Sequence, residues 1–216
     1  MRSNLCVAAV AAASIALGTF GANAMLISPD GASASSQHSG SYDPGNTIDG
    51  SGLPANFTAA DAHADYAANN HWTAASGDLL NAWITWTFNT PQTLSSIVIW
   101  NHLSNGPAGN PGYEPTLFDL TIRDSSNNTL LFWDDVALAP DTATGQTFSF
   151  GGSIAGISSV RFDVEAVQSS TSWTGLAEVA FDDTRVDPVP VAPALPLLAT
   201  GLAGMALLRK TRKQQP

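Results

Sequence analysis

Between Leu26 and Thr184 the apolar residues show no helical spacing; they alternate. Trp83-Ile84-Thr85-Trp86-Thr87-Phe88 places Ile84, Trp86 and Phe88 on one face of an extended chain. Leu94 to Trp100 puts Ile97 and Ile99 on one face and Val98 and Trp100 on the other. Phe118 to Arg123 alternates with Asp119 and Arg123 toward solvent. Asp124-Ser125-Ser126-Asn127-Asn128 is turn chemistry, and Thr129 to Trp133 returns as its hairpin partner. Gln146 to Phe150 pairs Phe148 with Phe150 on one face, Val160, Phe162 and Val164 alternate with Arg161, Asp163 and Glu165, and Leu176 to Phe181 closes the series. Seven or eight short strands joined by Gly, Pro, Asn and Ser turns predict an all-β fold, an antiparallel jelly-roll β-sandwich over residues 25–184. Three longer connections interrupt the rhythm, at 50–82, 101–117 and 166–175, and loops on a rigid sandwich are where binding residues concentrate.

Both ends read differently. Arg2, the apolar stretch Val7 to Leu17 and the small-x-small triplet Ala22-Asn23-Ala24 predict a signal peptide over residues 1–24. The only cysteine, Cys6, lies inside it, so the exported chain has no thiol chemistry, disulfide or Cys-ligated metal. After the body comes a Pro-rich linker, residues 185–193. The uncharged run Val189 to Leu208 follows, with a hydrophobic transmembrane segment placed at 194–208. A basic tail, residues 209–216, is expected on the cytoplasmic side. This arrangement resembles the PEP-CTERM sorting signals, and among them the VPLPA-type variant. The resemblance implies processing by an exosortase-like enzyme at the inner membrane of a Gram-negative bacterium that makes extracellular polysaccharide. The sequence reads Val-Pro-Val-Ala-Pro from Val189, where the variant has Val-Pro-Leu-Pro-Ala.

Composition sharpens this picture. A length of 216 residues suits one domain with appendages, and 44% hydrophobic residues suffice for a core. Only 12% of residues are charged, half the usual share of about 25%. Five of the eight cationic residues sit at the ends. Residues 25–187 hold Arg123, Arg161 and Arg185 against all 18 acidic residues, a net charge of −15, with no lysine. Such a surface excludes nucleic acid as a partner and disfavours docking on anionic headgroups.

Ordered pieces of the body carry a second resemblance. Asn46-Thr47-Ile48-Asp49-Gly50, His71-Trp72-Thr73-Ala74, Ile84 to Phe88 with Leu94 to Asn101, Phe118 to Ile122, Val160 to Val164 and Leu176 to Phe181 are similar to successive elements of the discoidin, or F5/8 type C, domain, a galactose-binding-like jelly roll. The 21 residues between Gly50 and Trp72 exceed the family's spacing. The resemblance implies carbohydrate binding and a structural Ca²⁺ held by Asp49, loop carbonyls and Glu178. Read without it, Asp49 caps an Asx turn and Glu178 faces outward.

Aromatic and amide side chains on the loops are the candidate ligand contacts: His102, Asn105, Tyr113 and Glu114 on one loop and Trp173 on another, converging at one end of the sandwich. Asp61, His63 and Asp65, with His71 nearby, have a spacing that would let a transition metal bind one face, but no known zinc spacing is present and a solvated polar loop is the reading preferred. Catalytic signatures are missing: there is no Gly-x-Ser-x-Gly elbow, His-Glu-x-x-His helix or phosphate loop. The sequence therefore predicts a noncatalytic, exported, membrane-anchored module that binds carbohydrate or matrix polymer. The alternative is a structural envelope or biofilm-matrix protein without a small ligand.

Overall fold

A computed structural model describes residues 25–101, 112–170 and 172–183. The signal peptide, linker, transmembrane segment and basic tail expected at the two ends lie outside these residues. Among the described residues no helix is long and apolar enough to cross a membrane.

Eight strands follow in order: β1 (Met25–Ile27), β2 (Gly31–Ala34), β3 (Trp72–Thr73), β4 (Trp83–Asn101), β5 (Pro115–Arg123), β6 (Thr129–Ala137), β7 (Gln146–Val167) and β8 (Gly175–Asp183). All pairings are antiparallel. The first half of β4 pairs with β2 and with the second half of β7, which continues through β5 to β6. The second half of β4 pairs with β8 and with the first half of β7, and β8 carries β1 and β3. The two long strands thus pass from one sheet into the other, and the sandwich is sewn along them. The expected alternation holds on both halves, but what reads as four separate strands in sequence is two bent ones. The bends fall at register shifts between Thr87 and Gln92 on β4 and opposite Gly151 on β7, whose φ of 79° suits glycine alone.

Between the sheets lies the main core. Ile84, Trp86, Leu94, Ile97, Ile99, Phe118, Leu120, Ile122, Val160, Phe162, Val179 and Phe181 are all fully buried there. Phe118 and Phe162 stack at 4.6 Å between centroids, and the Trp86 indole donates to Thr47 Oγ1 at 2.9 Å, so its polar edge is satisfied inside the core.

A second, smaller core sits on the outer face of β4 and β8. Val98, Trp100, Ala177 and Ala180 are buried there under Leu53, Phe57 and Ala59. The long segment between Gly50 and Trp72 supplies that cover. Its Asp61 carbonyl accepts from Trp100 Nε1 at 2.9 Å, and its Ala59 carbonyl accepts from the Gly145 amide at 2.8 Å. Gly145 packs so closely that a Cβ there would meet Val98 and Trp100.

Candidate ligand pocket

Two loops that flank the sandwich are laced together by backbone hydrogen bonds. The Gly112 carbonyl accepts from the amides of Ser169 (2.9 Å) and Ser170 (2.7 Å), the Glu114 carbonyl from Gln168 (3.0 Å) and the Tyr113 carbonyl from Gly175 (3.3 Å). Gly112 has φ 98°, and any Cβ there would run into Ser169. Ser170 Oγ accepts from the Trp173 amide at 2.9 Å, which fixes the tip of the second loop. The lacing brings Tyr113 and Trp173 to one place.

They meet there with residues from three other segments. A pocket of about 210 Å³ is lined by His38, Tyr66, Thr73, Tyr113 and Trp173. His38 precedes the short 3-10 turn Gly40–Tyr42, Thr73 ends β3, and Tyr66 comes from the long covering segment. The His38 and Trp173 rings meet edge to face at 6.2 Å, and Tyr66 and Tyr113 do the same at 6.2 Å. Behind them Tyr42 stacks on Tyr66 at 5.9 Å, and His71 lies 4.4 Å from Tyr66 and 4.9 Å from Tyr42. Trp173 is 40% exposed and Tyr66 41%, the values of walls rather than core. Thr73 is 5% exposed, lines the pocket, and its Oγ1 is buried without a hydrogen-bond partner. A buried hydroxyl left unpaired costs about 1–3 kcal/mol.

Burial keeps Tyr66, Tyr113 and His71 neutral. Burial pushes the Tyr113 phenol far up, with further increments from Tyr66, Tyr42 and the charge of Glu114. Tyr66 is raised by burial and by its hydrogen bond to Tyr42, whose hydroxyl accepts from Tyr66 at 2.8 Å. Burial, with the nearby His63, lowers the His71 imidazole to about 4. His71 Nδ1 lies 2.8 Å from Asn70 Oδ1, and Asn70 in turn holds the Asp65 carbonyl and the Ala67 amide, bracing the turn that presents Tyr66.

Of the ligand contacts expected from sequence, Tyr113 and Trp173 share this pocket. Glu114 is fully buried and does not line it. His102 and Asn105 lie outside the described residues. Tyr66, His38 and Thr73 were not anticipated. Tyr66 carried the same signal as Tyr113, an aromatic ring in a polar stretch, whereas Thr73 stands out only through its burial.

Glu178 and Asp49 also come near one another. Glu178 is fully buried on β8, not outward, and neither carboxylate oxygen has a hydrogen-bond partner. Its pKa is pushed up to about 9, chiefly by burial and further by the charge of Asp49. The Gly50 amide draws that pKa down without reaching hydrogen-bond geometry. Asp49 Oδ1 accepts from the Ser51 amide at 2.8 Å, so the Asx turn is also present. Asp61, His63 and Asp65 do not converge. Asp61 is turned back onto the Thr58 amide and hydroxyl (2.7 and 2.9 Å), while the His63 ring is buried against Gly52. Among the described residues no three His, Cys, Asp or Glu side chains cluster for a metal.

A wider hollow of about 510 Å³ lies beside the open edge of β6, lined by Phe132, Trp133, Asp134, Val136, Thr147, Phe148 and Ser149. None of these residues carries a buried polar atom lacking a partner. The ring-walled pocket is smaller, but four of its five lining side chains carry rings, which makes it the better candidate site for a sugar.

No protein-family model matches the chain, and no curated protein matches it. Solved structures do. A Streptococcus pneumoniae fucose-binding module matches with a TM-score of 0.52 at 14% identity, over 76% of this chain and 99% of that one. The lectin domain of lectinolysin, solved with Lewis b antigen, matches with a TM-score of 0.50 at 14% identity, over 71% and 92%. The F5/8 type C domain of a Bacteroides fragilis protein aligns at 0.49 and 14% identity, over 74% and 97%. The body shares the antiparallel β-sandwich fold of the fucose-binding module and the lectin domain. Identities this low speak for the fold alone.

Proposed function

We propose that this chain is a noncatalytic carbohydrate-binding module, exported and held at the membrane by its C-terminal segment, that grips one sugar ring of a matrix polysaccharide or glycan. The observation that carries the reading is the pocket whose lining brings together the rings of His38, Tyr66, Tyr113 and Trp173. Aromatic faces stack on the apolar face of a pyranose, and a volume of about 210 Å³ suits one ring rather than a run of them. The modules whose fold it shares are described as binding fucose and a Lewis antigen, which supports a saccharide. Export and anchoring rest on the terminal sequences, as does the exosortase-like processing partner. A glycan array probed with the full-length chain in detergent tests the reading. Saturable binding is expected, weakened by about 1–3 kcal/mol in Trp173→Ala with the melting temperature kept. An array without saturable binding points instead to a structural envelope protein.

The same proposal includes a structural Ca²⁺. Two buried carboxylate oxygens of Glu178 without partners, beside Asp49, suit a hard cation, and main-chain carbonyls of the Asp49 loop would complete its six to eight oxygens. Bound there, the ion would supply positive charge and tie the covering segment to β8. Calcium at about a hundredfold excess over its Kd should raise the melting temperature of the full-length chain by about 5–10 °C relative to chelator. Glu178→Gln should remove most of that response. Superimposable melts with calcium and with chelator contradict the ion.

A further inference from the structure

The sandwich is open along one flank. Among the described residues β6 pairs with β5 alone, and residues 146–157 of β7 pair with β4 alone, so each sheet ends there on an unshared backbone edge. The hollow of about 510 Å³ lies between the two edges, with Trp133 and Val136 of β6 on one side and Thr147 and Phe148 of β7 on the other. Trp133, Val136 and Phe148 are half-buried against the main core, so the hollow opens onto apolar side chains. Edge strands usually guard themselves with charge or proline, and the run Thr129 to Trp133 has neither. Its Leu130 and Phe132 are 38% and 54% exposed.

The outer face of the same sheet selects what can cover that edge. The register sets Phe132 opposite Thr121 and Asp119 opposite Asp163, on the face away from Leu120 and Phe162. The Asp135 amide donates to Asp119 Oδ1 at 2.9 Å, which ties the two acidic strands together. Desolvation, and after it the charges of Asp119, Asp135, Asp163 and Asp134, raise the Glu165 pKa, so five carboxylates act on one another here. Arg161 is the cation among them, and it is committed to Asp163 through Nε and Nη2. Arg123 donates to the Asn127 carbonyl in the β5–β6 turn, and the body has no lysine. A second copy would bring a body of net charge −15 against another of −15, whereas a cationic partner is drawn in.

We propose that β6 is a docking edge for an extended polypeptide segment in which apolar and cationic residues alternate. The segment adds a strand beyond β6 through main-chain hydrogen bonds, and its alternate side chains read the two faces. Every second side chain enters the hollow beside Trp133 and Phe148. Those between them lie along Phe132 and the carboxylates of Asp119, Asp134 and Asp135, where opposite charges on neighbouring strands stabilise the pairing. This edge and the ring-walled pocket share no lining residue, so the proposal stands apart from what that pocket binds.

The test is fluorine NMR of the full-length chain in detergent, labelled with 5-fluorotryptophan, at about 20 mM salt. The probe is a peptide as long as β6, capped at both ends, in which valine and lysine alternate. The Trp133 resonance should shift to saturation while Trp173 stays in place. A peptide with glutamate for every lysine, and one with proline for the central valines, should leave Trp133 unmoved. Phe132→Lys sets a like charge on an exposed position of the edge and should weaken binding by about tenfold with the melting temperature kept. Asp134→Asn combined with Asp135→Asn should weaken it by about fivefold. No shift at Trp133 with the valine–lysine peptide overturns the proposal. Equal binding of the proline peptide assigns the attraction to diffuse charge, and affinity unchanged in both variants places the peptide elsewhere; either result overturns it. A Trp133 shift that follows protein concentration without peptide gives the edge to a second copy and overturns it as well.

Discussion

The two apolar layers of this molecule are built by different rules. The inner one, between the sheets, is made by alternation, with every second residue along runs of β4, β5, β7 and β8 contributing a large side chain and the period slipping by one at Leu94 to Ile97, Ile157 to Val160 and Leu176 to Val179. The outer one is made by an irregular segment laid over one sheet face and held by single contacts: Phe57 edge-on to Trp100 at 5.3 Å, the Asp61 carbonyl to the Trp100 indole, the Ala59 carbonyl to Gly145. A surface laid down this way can be remodelled without disturbing the sandwich. It also lies over the sheet face that carries Glu178 and supplies Tyr66 to the lining of the pocket.

If that division is right, damage to the inner layer should cost most. Trp86→Ala removes a fully buried indole and its hydrogen bond to Thr47 Oγ1, and should lower the unfolding free energy by about 3–5 kcal/mol in a urea titration of the full-length chain. The outer layer should respond to pH instead. His71 is held neutral with its pKa near 4, against 6.5 in the unfolded chain. Its unfolded form gains a proton below pH 6.5 that the folded form refuses until about pH 4. Stability is therefore intact above pH 6.5 and falls as the pH drops, by about 2 kcal/mol at pH 5. His71→Phe should flatten that part of the curve. Phe57→Ala should cost less, about 1–2 kcal/mol, because the ring is only half-buried. Its distinguishing mark is local: amides of residues 50–64 should exchange early in a hydrogen-exchange experiment while those of β4 and β7 keep their protection. Uniform loss of protection would mean that the two layers are one cooperative unit.

The inner layer was legible in the sequence because alternation leaves a period-2 trace wherever one face is buried. Ile84, Trp86 and Phe88, or Val160, Phe162 and Val164, announce it directly. The continuity of β4 and β7 was not legible, because Asn89-Thr90-Pro91 and Gly151-Gly152 read as turns and are instead the bends that carry a strand between sheets. β2 escaped notice because Gly31-Ala32-Ser33-Ala34 has no large side chain; its partner β4 decides its place. The outer layer left a fainter trace. Val98 and Trp100 lie opposite to Ile97 and Ile99, and large apolar residues on both faces of a strand mean that something covers each face. Glu178 shares a strand with the small Ala177 and Ala180, which leave room for that cover, and this is why it is buried rather than outward. Of the pocket, Tyr113 and Trp173 were visible as rings in polar loops. Thr73 was not, since an unpaired hydroxyl is a property of packing alone.

The central claim is that a saccharide sits among the loop rings and not in the wider hollow beside β6. The chain has six tryptophans, and they divide cleanly between these places: Trp173 lines the ring-walled pocket, Trp133 lines the β6 hollow, and neither site is lined by the other four. Fluorine NMR of the full-length chain labelled with 5-fluorotryptophan, titrated with a saccharide that binds it, reads them separately. The account predicts that the Trp173 resonance shifts with saturation while Trp133 stays in place. A shift at Trp133 with Trp173 unmoved would contradict it.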